Sequence, residues 1–245
     1  IYNCAKEPEI IWLCRFLKKM GASIQGEGTE EILIEGGKII QGADMQVPPD
    51  RIVAGTYLCA AAATRGRIEI QNPPQGELTA FLEVYRKMGG QYEWNSGKLV
   101  ADGSRVRFPV SMTETAAYPG FPTDLQSLLM AVLATIPGKS CILESVFEDR
   151  FKITGELNRM GAEIRTEGRK AWIRGTSDLQ GGYLQAQELR GGAALVVAAL
   201  AARGESIVEG YSFICRGYED IVQDISDLGG KIKKDTGMTT YEYIQ

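Results

Sequence analysis

Four arginines and one aspartate stand where the chain runs into helical patterns: Arg51 in Pro49-Asp50-Arg51, Asp124 in Pro122-Thr123-Asp124, Arg190 in Glu188-Leu189-Arg190, Arg150 in Phe147-Glu148-Asp149-Arg150-Phe151, and Arg216 in Cys215-Arg216-Gly217-Tyr218. Guanidinium groups grip phosphate and carboxylate in two-pronged geometry. A helix N-terminus adds free N–H groups and a partial positive charge to the same task. A carboxylate held among such groups is placed to take a proton from a bound hydroxyl. The chain contains no histidine, which removes Ser-His-Asp and Cys-His pairs and the commonest zinc ligand together. Any chemistry rests on Asp, Glu, Lys, Arg or Cys.

Each candidate also has an ordinary structural reading. Thr123-Asp124 ahead of an apolar helix is by local criteria an N-cap. Arg51 and Arg190 contribute nothing to capping, because a cation opposes the dipole there; they are otherwise exposed side chains or ion-pair partners of Asp50 and Glu188. The four arginines converge on one cleft or are unrelated surface charges, and spacing alone leaves both open. Tyr118-Pro119-Gly120-Phe121-Pro122 is stiffened by its prolines and fixes the approach to Asp124. Cys14, Cys59 and Cys141 sit in apolar surroundings and read as small core residues. Cys215 has a cationic neighbour in Arg216, but no motif makes it a nucleophile.

The elements that position these residues recur. An amphipathic helix ends on an apolar-Gly pair at Met20-Gly21, Met88-Gly89, Met160-Gly161 and Leu228-Gly229, spacings of 68, 72 and 68 residues. The glycines have the place of left-handed helix caps. In one copy Leu78, Phe81, Leu82, Tyr85 and Met88 share a face, with Glu83, Arg86 and Lys87 elsewhere. Alternating segments follow, such as Ala162 to Arg165 and Trp172 to Arg174, which predict a hairpin. A second recurring element is apolar all round: Tyr57 to Thr64, Leu128 to Ile136 and Ala193 to Ala202, each soon followed by Gly66, Gly138 or Gly204 and a strand. A helix without a polar face must be buried on every side, so these three belong together at the centre. Three units of about seventy residues then fill 45–245, and a partial unit of helix and hairpin fills 1–44, with a boundary near Gln41-Gly42-Ala43-Asp44.

The 245 residues are 44% hydrophobic and carry a net charge of -4, enough apolar material for a large core and no general attraction for nucleic acid or an anionic membrane. The apolar runs fall short of the roughly 20 residues that span a bilayer, and no signal peptide leads the chain. Five scattered cysteines without a C-x-x-C pattern suit a reducing cytoplasm and indicate neither a disulfide framework nor a thiolate metal site. The first residue is Ile1 and a helical pattern begins almost at once, so the chain is expected to be a piece of a longer protein.

Asn3 to Ile10, Pro49-Asp50-Arg51-Ile52, Tyr118 to Asp124, Val146 to Phe151, Leu189 to Leu195 and Arg216-Gly217-Tyr218-Glu219 together resemble the UDP-N-acetylglucosamine 1-carboxyvinyltransferase family. The matches are in order and span nearly the whole chain. The resemblance implies a mixed α/β fold, the inside-out α/β barrel of the enolpyruvyl transferases, with 1–44 finishing a first domain and 45–245 forming the second. It implies transfer of enolpyruvyl from phosphoenolpyruvate to the 3′-hydroxyl of UDP-N-acetylglucosamine through a tetrahedral intermediate, in cytoplasmic peptidoglycan synthesis, with no metal or organic cofactor. Asp124 matches the carboxylate that bonds the sugar hydroxyl and is the candidate base; Val146 matches a nucleotide-sugar contact. Arg190 and Arg216 match arginines of the phosphoenolpyruvate side, and Arg150, Arg51 and Thr123 match supporting cleft positions. Glu188 and Cys215 depart from the aspartates many members carry. No segment resembles the family's mobile loop with its acid cysteine or its N-terminal Lys-Asn pair, so a partner domain of the same protein is implied and little or no turnover is expected of this chain alone. Three other readings compete: a 5-enolpyruvylshikimate-3-phosphate synthase type, a non-catalytic nucleotide-sugar module, and a DNA sliding clamp, whose basic inner helices contrast with the apolar ones here.

Overall fold

The computed structural model describes residues 1–37, 41–235 and 241–244. The chain opens with α1 (Pro8–Lys19) and the antiparallel hairpin β1 (Ser23–Gln25) and β2 (Leu33–Glu35). Irregular chain then leads to α2 (Arg51–Thr64), β3 (Arg67–Gln71), α3 (Thr79–Lys87), β4 (Gln91–Asn95) and β5 (Lys98–Asp102). Next come β6 (Thr113–Glu114), a 3-10 turn at Thr123–Leu125, α4 (Gln126–Ala134), β7 (Gly138–Leu143), α5 (Thr154–Arg159), β8 (Glu163–Glu167) and β9 (Lys170–Gly175). The remainder is β10 (Tyr183–Gln185), α6 (Leu189–Ala201), β11 (Ser206–Glu209), α7 (Tyr211–Ile214), α8 (Ile221–Asp227), β12 (Ile232–Asp235) and β13 (Tyr241–Ile244).

The helices that lack a polar face are α2, α4 and α6, and they pack on one another at the centre, as the sequence predicts. Every residue of α4 is buried. The helices run side by side in the same sense. Near their starts, a Cβ added to Gly55 of α2 would lie 2.6 Å from Leu125 Cδ1, just ahead of α4. Near their ends, Arg65, in the left-handed region at φ 60°, donates from Nη1 to the oxygens of Ala62 and Ala63 and from Nη2 to Thr135 O at 2.9 Å. One guanidinium thereby satisfies the orphan carbonyls of two helix C-termini. Burial lowers the pKa of this arginine.

Sheets lie outside the helices. One has the antiparallel order β3-β5-β4, and the two others have the orders β6-β7-β9-β8 and β10-β11-β13-β12. Each four-stranded sheet starts with a parallel pair and continues antiparallel. The predicted hairpin is β8 and β9, with Arg165 opposite Trp172. The stripe of α3 is buried through Phe81, Leu82 and Tyr85, with Leu78 and Met88 at its ends, while Glu83, Arg86 and Lys87 are exposed. The glycines ending the amphipathic helices adopt φ between 90° and 103°, a conformation that would strain any residue with a Cβ. Cys14, Cys59 and Cys141 are buried. A small separate cluster of Cys14, Ile24 and Ile32 lies beneath α1. Among the described residues no helix is long and apolar enough to cross a membrane.

Candidate functional site

The starts of α2 and α6 and the turn ahead of α4 meet at a cleft of about 530 Å³ whose walls include Arg51, Asp124, Arg150 and Arg190. Thr123 and Val146 also line it, as do Glu7, just ahead of α1, and Glu9, in its first turn. Its floor therefore carries the aligned positive ends of central helices, a favourable setting for an anion. A larger groove on the solvent face of β8 and β9, about 670 Å³, includes Glu163, Arg165 and Trp172 and brings none of the candidate site residues together.

Asp124 is not a helix cap, contrary to its local sequence signature. It lies inside the 3-10 turn, no side-chain cap bond is made there, and the extended residue that starts the turn is Pro122. Its carboxylate instead accepts from Arg150 Nη2 at 3.1 Å and faces Arg190 Nη2 at 3.6 Å. Two partners distant in sequence outweigh a local bond because both are cations whose side chains are mostly buried. The alternatives for Arg51 and Arg190 are excluded in the same way. Asp50 and Glu188 are true caps: Asp50 accepts from the N–H groups of Ile52 and Val53, and Glu188 from those of Arg190 and Gly191. Arg51 pairs with Glu9 at 2.9 Å and lies over the ring of Tyr118.

Arg190 Nη1 is buried and has no hydrogen-bond partner among the described residues. Beneath it the ring of Tyr218 lies 6.0 Å from the guanidinium carbon, and the Tyr218 hydroxyl bonds Thr56 Oγ1 at 2.8 Å. Burial raises the pKa of Tyr218, partly offset by Thr56 and Arg190. Arg216 stands apart: it is exposed and is not among the residues lining the cleft. Three of the four arginines thus converge. Cys215 is exposed, and its Sγ donates to Tyr211 O. Among the described residues no three His, Cys, Asp or Glu side chains cluster as metal ligands.

Residue-level reading missed Glu7, Glu9 and Glu144. Glu7 Oε1 accepts from the backbone N–H of Tyr118 at 3.2 Å, and Glu144 accepts from Thr123 Oγ1 at 2.9 Å. Acidic residues in a first helical turn look like ordinary dipole partners. Nothing local distinguishes those that also reach another segment.

The family model for EPSP synthase (3-phosphoshikimate 1-carboxyvinyltransferase) matches residues 1–225. The chain belongs to the EPSP synthase family. Within that family its curated relatives include UDP-N-acetylglucosamine 1-carboxyvinyltransferase 2 of Caldanaerobacter subterraneus subsp. tengcongensis, 44% identical over 95% of this chain and 56% of the relative. The enzyme of the same name from Geobacillus kaustophilus is 40% identical over the whole chain and 57% of its own length. The chain thus spans a little over half the length of these relatives. Among solved structures, the enolpyruvyl transferase NikO from Streptomyces tendae superposes with a TM-score of 0.81 at 26% identity, covering 93% of this chain and 54% of that one. EPSP synthase from Acinetobacter baumannii, at a TM-score of 0.64 and 20% identity over 82% of this chain and 46% of its own, shares the fold. The resemblance read from the motifs is therefore correct for this EPSP synthase family member, and its mixed α/β fold is that of the enolpyruvyl transferases.

Proposed function

We propose that this chain forms the acceptor-binding part of an enzyme that transfers enolpyruvyl from phosphoenolpyruvate to the 3′-hydroxyl of UDP-N-acetylglucosamine, in cytoplasmic peptidoglycan synthesis. The observation that carries the reading is Asp124, held by Arg150 and Arg190 over the converging helix starts and facing the cleft. The curated relatives named for that transfer support the choice of acceptor. In the proposed reaction Asp124 takes the proton of the 3′-hydroxyl as its oxygen bonds C2 of phosphoenolpyruvate and C3 gains a proton. The tetrahedral adduct then loses a C3 proton and phosphate. Arg190, on the cleft wall beside Asp124, neutralises the phosphate and carboxylate charge that this cycle moves. Arg216 joins the anion side when its segment closes, Arg51 and Arg150 hold the walls, and Val146 and Thr123 contact the nucleotide sugar.

The same reading assigns 1–44 to the end of a first domain and 45–245 to three units of an inside-out α/β barrel; residues 38–40, 236–240 and 245 lie outside the described part. The family resemblance assigns the acid that protonates C3 to a further domain of the same protein, and on this reading the chain alone binds without turning over.

Calorimetric titration of UDP-N-acetylglucosamine into the chain tests the proposal, with Asp124→Ala as control and shikimate 3-phosphate as the rival ligand. Saturable binding of the nucleotide sugar, weakened at least tenfold in the variant, is expected. Preference for shikimate 3-phosphate would transfer the chain to the 5-enolpyruvylshikimate-3-phosphate branch, and binding indifferent to Asp124 would overturn the site.

A further inference from the structure

We propose that Glu144 is the positioning residue that locks the two acceptor-side walls of the cleft to each other, an inference that rests on the nucleotide-sugar reading of the site. Glu144 is 1% exposed and does not line the cleft, whereas each residue that donates to its carboxylate does. Its Oε2 accepts from Thr123 Oγ1 at 2.9 Å, on the turn that carries Asp124. Its Oε1 accepts from the backbone N–H groups of Val146 and Phe147, both at 3.0 Å, on the segment that leads to Arg150. The Arg150–Asp124 bond closes the ring from the other side.

A buried carboxylate is costly unless its lone pairs are satisfied, and this one has no ion-pair partner among the described residues. An apolar side chain would fill the site without burying a charge. What it would not do is accept three donors from two separate segments at once. The geometry is specific to the wall and not to the strand beneath it. Ser145 is fastened independently, its N–H donating to Thr115 Oγ1 at 3.0 Å and its carbonyl accepting from Arg169 Nη1 at 2.9 Å. The backbone N–H of Glu144 donates to Arg169 O at 2.8 Å. Losing the carboxylate therefore frees the Thr123 hydroxyl and two amides while β7 stays paired with its neighbours.

Three variants of the 245-residue chain test this: Glu144→Ala, Glu144→Gln and Thr123→Val. Gln keeps a carbonyl for the two amides and turns its amide nitrogen toward Thr123 as a donor. UDP-N-acetylglucosamine binding is expected to weaken by about tenfold or more in Glu144→Ala, and to recover to within about threefold of the parent in Glu144→Gln. Thr123→Val should weaken it severalfold in the parent and by clearly less in the Glu144→Ala background, where the link is already gone and only the direct contact of Thr123 with the ligand is left to lose. Unaltered binding in Glu144→Ala, equal loss in Glu144→Gln, or additive losses would overturn the proposal. Hydrogen exchange gives an independent arm: the Val146 and Phe147 amides should exchange at least tenfold faster in Glu144→Ala and stay protected in Glu144→Gln, with α4 unchanged in both. If the parent chain binds no nucleotide sugar, the functional reading fails and exchange alone decides. Unchanged protection at Val146 and Phe147 then rejects the lock, and their selective loss retains it. Should Glu144→Ala not fold, Thr123→Val decides by exchange: faster exchange of the Val146 and Phe147 amides, on the far side of the severed link, supports the lock, and unchanged exchange rejects it.

Discussion

The guanidinium of Arg150 and the carboxylate of Asp124 meet at 3.1 Å across 26 residues of chain. Neither is drawn there by its own helix. The bond joins the turn ahead of α4 to the segment after β7, so the orientation of the candidate base depends on a residue that the sequence leaves as one charge among several.

Arg150→Ala should weaken UDP-N-acetylglucosamine binding, and a double-mutant cycle with Asp124→Ala should show coupling of about 0.5–1 kcal/mol. The modest size follows from the 39% exposure of the Asp124 side chain, which lets solvent screen the pair. Calorimetry at two ionic strengths checks it, with the coupling falling as salt rises. Full additivity would mean that the two groups act independently.

Gly55→Ala should destabilise the fold in spite of alanine's better helix propensity. The propensity gain is about 1 kcal/mol, whereas the new methyl meets the fully buried Leu125 side chain at 2.6 Å, and overpacking of that kind costs about 1–3 kcal/mol. Urea unfolding should give a net loss on the order of 1 kcal/mol. Because Leu125 follows Asp124 directly, ligand affinity should fall as well.

Removing the guanidinium at the opposite end, in Arg65→Ala, strips partners from the C-terminal carbonyls of α2 and α4 together. A loss of about 1–3 kcal/mol is expected from the denaturant midpoint. Arg65→Lys should recover part of it, since an ammonium lacks the planar fork that reaches both helices.

Alkali should unfold the protein through its interior. Burial raises the pKa values of Cys59, Tyr85 and Tyr218, and burial followed by the Asp224 carboxylate raises that of Tyr57. With folded pKa values above unfolded ones, the unfolded chain gives up these protons first. Stability is intact below the ordinary thiol and phenol range and falls as pH climbs through about 8.5 and then about 10. Thermal unfolding between pH 7 and 10.5 should show that decline, and Tyr218→Phe should lessen its upper part.

The central helices were legible because an apolar surface on every side has one physical solution, and the spacing of Tyr57–Thr64, Leu128–Ile136 and Ala193–Ala202 says that it recurs. The hairpin of β8 and β9 was legible through alternation. Asp124 misled because a local cap and a long-range ion pair share one sequence signature, and only the fold decides between them. Glu188 shows the converse: beside Arg190 it reads as an ion-pair partner, and it caps the helix instead. Glu144 was silent, since a carboxylate at the end of a strand carries no mark of whether it faces water or the interior.

The cleft takes Glu7 and Glu9 from the side of the small cluster of Cys14, Ile24 and Ile32, and Arg51 and Asp124 from the side of the large core. The cluster has three buried members, and the Arg51–Glu9 pair and the Tyr118–Glu7 bond fasten α1 to the larger core across this seam. A molecule lodged there would act as a keystone as much as a cargo, tightening the join between two unequal masses. Its departure would loosen the lighter one first.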